Sequence, residues 1–219
     1  MRQLLLDFDR APAPTFRNFV AGGNAELAHA LEAAANGAFP DRVVYVWGER
    51  GAGKTHLLEA FVNSTKGAAY VLARELRDHD MRGVLAVDDV EQLPEDRQVA
   101  LFNAFNERAF DFLLVAASAS PRDVPIRRDL ATRLATGLTY RVLALTDAEK
   151  GEALAAHARS RGFAIPEEVT AYLMTHARRD MGSLIGVLDS LDKYSLETGR
   201  PVTVPLLKAA LQATLPSMP

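Results

Sequence analysis

The chain has 219 residues, 48% hydrophobic and 24% charged, with a net charge of -3 and no cysteine. That size suits one large domain or a domain with a smaller partner. The acidic balance argues against holding nucleic acid by the overall field, and the missing thiols exclude disulfides, thiolate zinc sites and cysteine nucleophiles. No apolar run approaches the roughly 20 residues of a membrane span. With acids at Asp7 and Asp9 the N-terminus lacks a signal-peptide core, so a cytoplasmic protein is expected.

In chain order, Met1 to Arg10 stand apart, and Ala11-Pro12-Ala13-Pro14 reads as a short extended linker. A helix is predicted from Ala25 to about Asn36, ended by Gly37 and Pro40. Short apolar runs follow at Val43–Trp47, Ala69–Leu72, Val84–Asp88, Phe112–Ala116 and Thr139–Val142, alternating with helical patterns. One of these covers Glu95–Ala109, with Leu101, Phe102, Phe105 and Ala109 on one face. Continuous apolar strands between helices predict an α/β domain whose parallel sheet is covered on both faces.

After Leu145 no strand signal remains. Thr146-Asp147-Ala148-Glu149 has the form of a capping box opening a helix to about Arg161, with Gly162 as its stop. Further helices are expected from Pro166 to His176, through Met181, Leu184, Ile185, Leu188 and Leu191 to Gly199, and from Val204 to Leu215. The expected organisation is a tail and linker over 1–14, an α/β domain over 15–145 and a small helical domain over 146–219.

Two motifs carry the chemistry. Gly48-Glu49-Arg50-Gly51-Ala52-Gly53-Lys54-Thr55 fits the phosphate loop G-x-x-x-x-G-K-[ST], and it lies between a strand and a helix from Thr55 to about Thr65. Backbone N–H groups of Gly48, Gly51 and Gly53 and the helix N-terminus would face phosphate oxygens. Lys54 would reach the β/γ-phosphates, and Thr55 would hold Mg²⁺. In Val84-Leu85-Ala86-Val87-Asp88-Asp89 an apolar strand ends in two acids. Asp88 would hold Mg²⁺ through water and Asp89 would polarise an attacking water. On local pattern alone, Trp47 is expected to pack in the core, and His56 to be a helix residue facing the sheet.

A phosphate-loop α/β domain followed by a small helical domain resembles the AAA+ ATPases, and within them the DnaA family and its truncated regulatory branch, the Hda-type inactivators of DnaA. The resemblance is carried by Thr15-Phe16-Arg17-Asn18-Phe19-Val20-Ala21-Gly22-Gly23-Asn24, the Gly48–Leu58 run with Lys54-Thr55-His56, and Asp88-Asp89. It continues through Asp129-Leu130-Ala131-Thr132-Arg133-Leu134, Arg161-Gly162-Phe163 and Arg179-Asp180-Met181. It implies a three-layer AAA+ domain with a five-stranded parallel sheet and an all-α lid, binding ADP or ATP with Mg²⁺. Phe16, Phe19 and Val20 would cover the adenine, core packing being the other reading. His56 belongs to the nucleotide-site run, and Arg179 would be the lid arginine that touches phosphate, with Arg178 beside it as a competitor. Arg133 would be an arginine finger acting on a neighbouring subunit, the alternative being an ion pair with Asp129.

Gln3-Leu4-Leu5-Leu6-Asp7-Phe8 resembles the Q-L-x-L-x-F peptide by which such proteins bind the replicative sliding clamp, the β subunit of DNA polymerase III. Gln3 would hydrogen-bond, and Leu4, Leu6 and Phe8 would fill an apolar pocket. The other reading of this run is an edge strand of the body. The fourth strand departs from the family pattern: Val115-Ala116-Ala117-Ser118 offers alanines where relatives carry a polar sensor residue, leaving Ser118 as the near candidate. No basic recognition segment follows the lid, so little direct DNA binding is expected. The expected function is a regulator that binds adenine nucleotide, docks on the clamp and thereby the nucleoid, and stimulates hydrolysis of DnaA-bound ATP; a homodimer is compatible with it. The alternatives are a DnaC-like helicase loader that binds single-stranded DNA, and a small-molecule P-loop kinase.

Overall fold

The computed structural model describes residues 13–38, 40–178 and 180–208. They fall into two compact units, one over Pro14–Ala144 and one from Leu145 on. Among the described residues no helix is long and apolar enough to cross a membrane.

The first unit is built on β1 (Val43–Trp47), β2 (Ala69–Leu72), β3 (Gly83–Asp88), β4 (Phe110–Ala117) and β5 (Leu138–Arg141), all parallel in the order β2-β3-β4-β1-β5. Its helices are α1 (Ala25–Ala35), α2 (Lys54–Ser64), α3 (Glu95–Asn106) and α4 (Arg128–Leu134). The period-2 alternation of a strand divides the central residues between two cores. Val43, Tyr45, Leu85, Val87, Leu113 and Val115 pack with Leu101 of α3 and Leu130 and Leu134 of α4. Val44, Val46, Ala86, Phe112, Leu114 and Ala116 pack with Leu27 and Leu31 of α1 and Leu57, Leu58 and Phe61 of α2. This is the three-layer α/β architecture that the alternating pattern predicts. The central strands are apolar over nearly their whole length because both faces are covered, with acids only near their ends, at Asp111 of β4 and Asp88 of β3. The edge strands β2 and β5 are four residues each and partly exposed, which limits unpaired edge.

Three helices end in the same double hydrogen bond. After α1, Ala38 N–H donates to Ala33 O and Gly37 N–H to Ala34 O; after α3, Ala109 donates to Ala104 and Arg108 to Phe105. The third instance follows α5 (Asp147–Ser160), where Phe163 donates to Ala158 and Gly162 to Arg159. The pivot residue must be left-handed, with φ of 71° at Gly37, 87° at Gly162 and 57° at Arg108. Glycine is the usual occupant; a side chain there costs about 1–2 kcal/mol. Because Arg108 takes that conformation, α3 stops at Asn106, short of Ala109 where the apolar pattern places its end.

The second unit consists of α5, α6 (Glu167–His176), α7 (Met181–Thr198) and helical residues 204–208 around a core of Leu154, Leu173, Leu184, Leu188, Leu191 and Leu207. The capping box forms: Thr146 N–H donates to Glu149 Oε2 at 2.7 Å, and Glu149 N–H to Thr146 Oγ1 at 3.2 Å. Buried Asp192 accepts from Arg161 Nε at 3.0 Å, and His157 Nε2 lies 2.7 Å from Asp189, joining α5 to α7. The far end of the last expected helix lies outside the described residues.

Gly137 turns the chain into β5 where a Cβ would sit 2.1 Å from the Val43 carbonyl oxygen. Gly137→Ala is therefore expected to lower unfolding stability by about 1–3 kcal/mol in denaturant titration. An unchanged midpoint would mean that the turn can move away from β1.

Candidate functional site

The glycine loop leaves the C-terminal end of β1 at Gly48. Its N–H donates to Ala117 O at 3.2 Å, and a Cβ on it would lie 2.3 Å from Val142 O. Only glycine fits between β4 and the chain leaving β5. Gly53, at φ 101°, precedes the first turn of α2, which no side chain caps. The N–H groups of that turn are thus available to an anion. Lys54 Nζ donates to Gly48 O at 2.8 Å and Glu49 O at 3.0 Å, so the ammonium lies across the loop.

Thr55, one residue on, turns the other way. Its hydroxyl donates to Asp88 Oδ2 at 2.7 Å. Asp88 ends β3 and is 2% exposed. It also accepts from the Tyr70 hydroxyl at 3.0 Å and, on Oδ1, from Asp89 N–H at 3.0 Å. Burial and the Asp88 carboxylate push the Tyr70 phenol well above its usual range. The hydroxyl and carboxylate oxygens here are hard donors that suit Mg²⁺. Among the described residues no cluster of three acids or histidines could hold a metal alone, so phosphate oxygens or water would have to complete the shell.

Asp89 is left-handed at φ 54° and accepts from Gln92 Nε2 at 2.9 Å. Burial, then the charges of Asp88 and Glu91, raises its carboxyl above the usual range, while Lys54 and Arg74 pull the other way. Glu91 belongs to neither sequence motif. Its Oε1 accepts from Ser118 N–H at 3.0 Å, and its buried Oε2 finds no partner among the described residues. The end of β4 therefore presents buried Ala116 and Ala117, with Ser118 tied by its backbone to Glu91. Glu91 follows Asp88 by three residues, a spacing that could have drawn attention; Tyr70 needed the strand order to be seen.

The segment before α1 lies over the loop. Thr15 and Asn18 exchange hydrogen bonds between backbone and side chain, and Asn63 donates to Pro14 O at 2.9 Å. His56 does not face the sheet as local pattern suggests. That face of α2 is taken by Leu57, Leu58, Ala60 and Phe61, and His56 Nε2 lies 3.0 Å from Thr15 O with its ring 5.4 Å from Phe19. Phe19 approaches Gly53 so closely that a Cβ there would meet its ring at 3.0 Å, and it also packs on the α1/α2 core with Phe16. Both readings of Phe19 are thus compatible with one position; Val20 beside it is half-buried. Asn24, buried, bonds both backbone groups of Leu143 and fixes the far end of this segment.

Arg133 lies in α4, exposed, with its guanidinium 6.0 Å from the centre of the Phe102 ring. The ion pair with Asp129 does not form. Arg127 takes that carboxylate through two hydrogen bonds, at 3.2 and 2.8 Å, which holds it below the usual carboxylate range. Arg127 is itself placed by buried Gln98, which accepts from its N–H at 2.7 Å. Arg133 lines a cleft with Val43, the first residue of β1, whereas the glycine loop begins past the last. At about 3.3 Å per residue, β1 alone separates them by roughly 15 Å. Trp47 packs against the α3/α4 core beneath the Arg141 guanidinium, 5.3 Å away. Gln3, Leu4, Leu6, Phe8 and Arg179 lie outside the described residues; Arg178, exposed, sits 3.8 Å from Asp180.

Comparison with known proteins gives two family matches. The model for the bacterial DnaA ATPase domain matches residues 11–71, and the model for the Hda lid domain matches residues 147–211. An uncharacterized protein of Haemophilus influenzae is 32% identical over 228 residues, covering 96% of this chain and 98% of its own. Domain III of the replication initiation protein DnaA from Thermotoga maritima superposes with a TM-score of 0.72 at 22% identity, covering 93% of this chain and 98% of that one. AMPPCP-bound DnaA from Aquifex aeolicus gives 0.67 at 20% identity, with 86% and 70% covered.

The crowding of Asp88, Asp89 and Glu91 has a measurable consequence. A raised carboxyl costs folded-state stability above its folded pKa and nothing below the unfolded value near 4. Asp89→Asn is expected to raise the thermal midpoint at pH 7, and this gain should shrink as the pH falls through the raised carboxyl's titration and be gone by about pH 4. A gain that does not vary with pH would assign it to backbone preference instead.

Proposed function

The chain belongs to the DnaA-related AAA+ family, and from that premise we propose that it is a regulator acting on the ATP of DnaA. In this reading its own loop holds ADP or ATP, with Gly48, Gly51, Gly53 and Lys54 facing the phosphates and Phe19, Val20 and His56 beside the base and sugar. The DnaA of Aquifex aeolicus, of the same fold, binds AMPPCP, which supports a nucleotide here. Thr55 and Asp88 would hold Mg²⁺, which when bound offsets phosphate charge. Lys54 leaves the carbonyls of Gly48 and Glu49 for phosphate oxygens, and Asp89 faces the water side.

The observation that carries the proposal is the position of Arg133. It stands at the opposite end of β1 from the chain's own phosphate loop, exposed and free of Asp129. A guanidinium so placed serves a nucleotide on another subunit, where it stabilises charge on the transferred phosphoryl group. The alanines at the end of β4 favour the same division of labour: binding here, catalysis on the partner. The tail residues Gln3, Leu4, Leu6 and Phe8 would dock the protein on the sliding clamp, which places it where initiation has just occurred.

Three outcomes are expected. Lys54→Ala should weaken binding of labelled ATP and ADP about 10- to 100-fold in equilibrium dialysis. With DNA-loaded clamp, Arg133→Ala should retain nucleotide and clamp binding while phosphate release from DnaA-bound ATP falls about 10³-fold; full stimulation by this variant would remove the finger role. Gln3→Ala with Leu6→Ala should abolish clamp binding by surface plasmon resonance, and retained affinity would refute the docking role.

A further inference from the structure

A cleft of about 570 Å³ opens at the N-terminal end of the sheet, lined by Arg42, Arg108 and Arg133 with Phe105, Asn106 and the first residues of β1 and β4. Three arginines border one concavity, where like charges brought together would repel one another. None has an ion-pair partner among the described residues. Arg97, Arg127 and Arg161 pair with Asp78, Asp129 and Asp192, while Arg82 and Arg122 share the unpaired state of the cleft arginines among the described residues; what sets the three apart is that they border one concavity. Acids are close in sequence at Asp41, Glu107 and Asp111, yet none lines the cleft. The local arrangement thus collects cations and leaves the available carboxylates outside.

Arg108 supplies an independent observation. It occupies the left-handed pivot that Gly37 and Gly162 fill after α1 and α5, and it makes the same hydrogen bond. Glycine would close α3 equally well without a strained Cβ. The turn therefore carries an arginine at a conformational cost, and that residue lines the cleft. Strain kept where nothing in the fold requires it points to the side chain's use.

We propose that Arg42 and Arg108 form, with Arg133, a cradle for the polyphosphate of a nucleotide presented by another ATPase subunit. The proposal rests on the reading of Arg133 above and adds two binding residues to it. Guanidiniums take phosphate oxygens in bidentate pairs, and Phe102 beneath Arg133 steadies one of them through its ring face. Three arginines on one cleft match a triphosphate, whose charges are concentrated on adjacent groups. A duplex backbone spreads its charges along a line and would call for a stripe.

The test is phosphate release from ATP on purified DnaA, titrated with this protein and DNA-loaded clamp. Arg42→Ala and Arg108→Gly should each raise the concentration for half-maximal stimulation about 10-fold, and Arg108→Lys should recover part of that loss. Arg108→Gly should melt at or above the wild-type temperature, so its defect cannot be misfolding. If wild type stimulates, Arg133→Ala does not, and both new variants behave as wild type, the cradle is wrong and the finger stands. If wild type gives no stimulation, the underlying reading fails and the partner-nucleotide cradle fails with it. A second measurement isolates the cleft: calorimetry of inorganic tripolyphosphate with the Lys54→Ala protein, whose own loop is weakened. Binding that is lost on adding Arg42→Ala or Arg108→Gly supports the cradle, and no binding overturns it. Duplex DNA binding that falls with both variants while stimulation is unchanged would also overturn it, in favour of a backbone contact.

Discussion

The Asp88 carboxylate is the group on which the C-terminal edge of the sheet depends. A carboxylate 2% exposed is tolerable only if its oxygens are well satisfied. Its three donors come from different places: Thr55 at the start of α2, Tyr70 on β2, and the backbone of Asp89. The strand order makes that convergence possible. With β4 between β3 and β1, the end of β3 and the glycine loop are roughly 10 Å apart, a gap that the first turn of α2 spans. Loss of any one donor would leave a buried oxygen short and loosen the loop, the helix and the edge strand together.

The same sheet keeps two kinds of positive charge apart. Lys54 and the first N–H groups of α2 face the C-terminal edge, and Arg133, Arg42 and Arg108 face the N-terminal edge. A short buried strand is a rigid spacer, because its residues are packed on both faces and bonded on both sides. On the proposed reading this rigidity is useful. A ligand in the loop and a partner's nucleotide at the cleft each meet a fixed surface, and neither site can be mistaken for the other.

The strands Val43–Trp47 and Ala69–Leu72 are legible to the residue, because each is an unbroken apolar run between turn residues, whether buried as β1 is or at the sheet edge as β2 is. Helix ends were legible where glycine marks them, as at Gly37 and Gly162, and not at Arg108, where an arginine does glycine's work. Within the site, Lys54, Thr55 and Asp88 belong to compact motifs and were readable. Tyr70 and Glu91 were not, since their roles follow from which strand lies beside which. The direction of His56 is not legible, because the apolar stripe of α2 shows which residues face the sheet but not what the segment at Thr15–Phe19 does over its other side. Arg42 and Arg108 are far apart in sequence from each other and from Arg133, and only the fold brings them to one cleft.

The acids at the end of β3 bear on how the loop and the water side communicate. The Asp89 carboxyl is raised by burial and by Asp88 and Glu91, and lowered by Lys54 and Arg74. Lys54 is also the group that would follow phosphate. When its ammonium leaves the carbonyls of Gly48 and Glu49 to pair with a phosphate, its charge is neutralised locally and Asp89 keeps less of that relief. On the proposed reading, Mg²⁺ held by Thr55 and Asp88 would bring its own charge to the same carboxyl, so Asp89 responds to which ligands fill the loop. A base alone does not position water. Ala116 and Ala117 supply no hydroxyl, and the Ser118 N–H is already given to Glu91. On the proposed reading the two buried alanines leave the aiming of a water to the exposed Ser118 hydroxyl, and this favours a nucleotide that is held over one that is turned over.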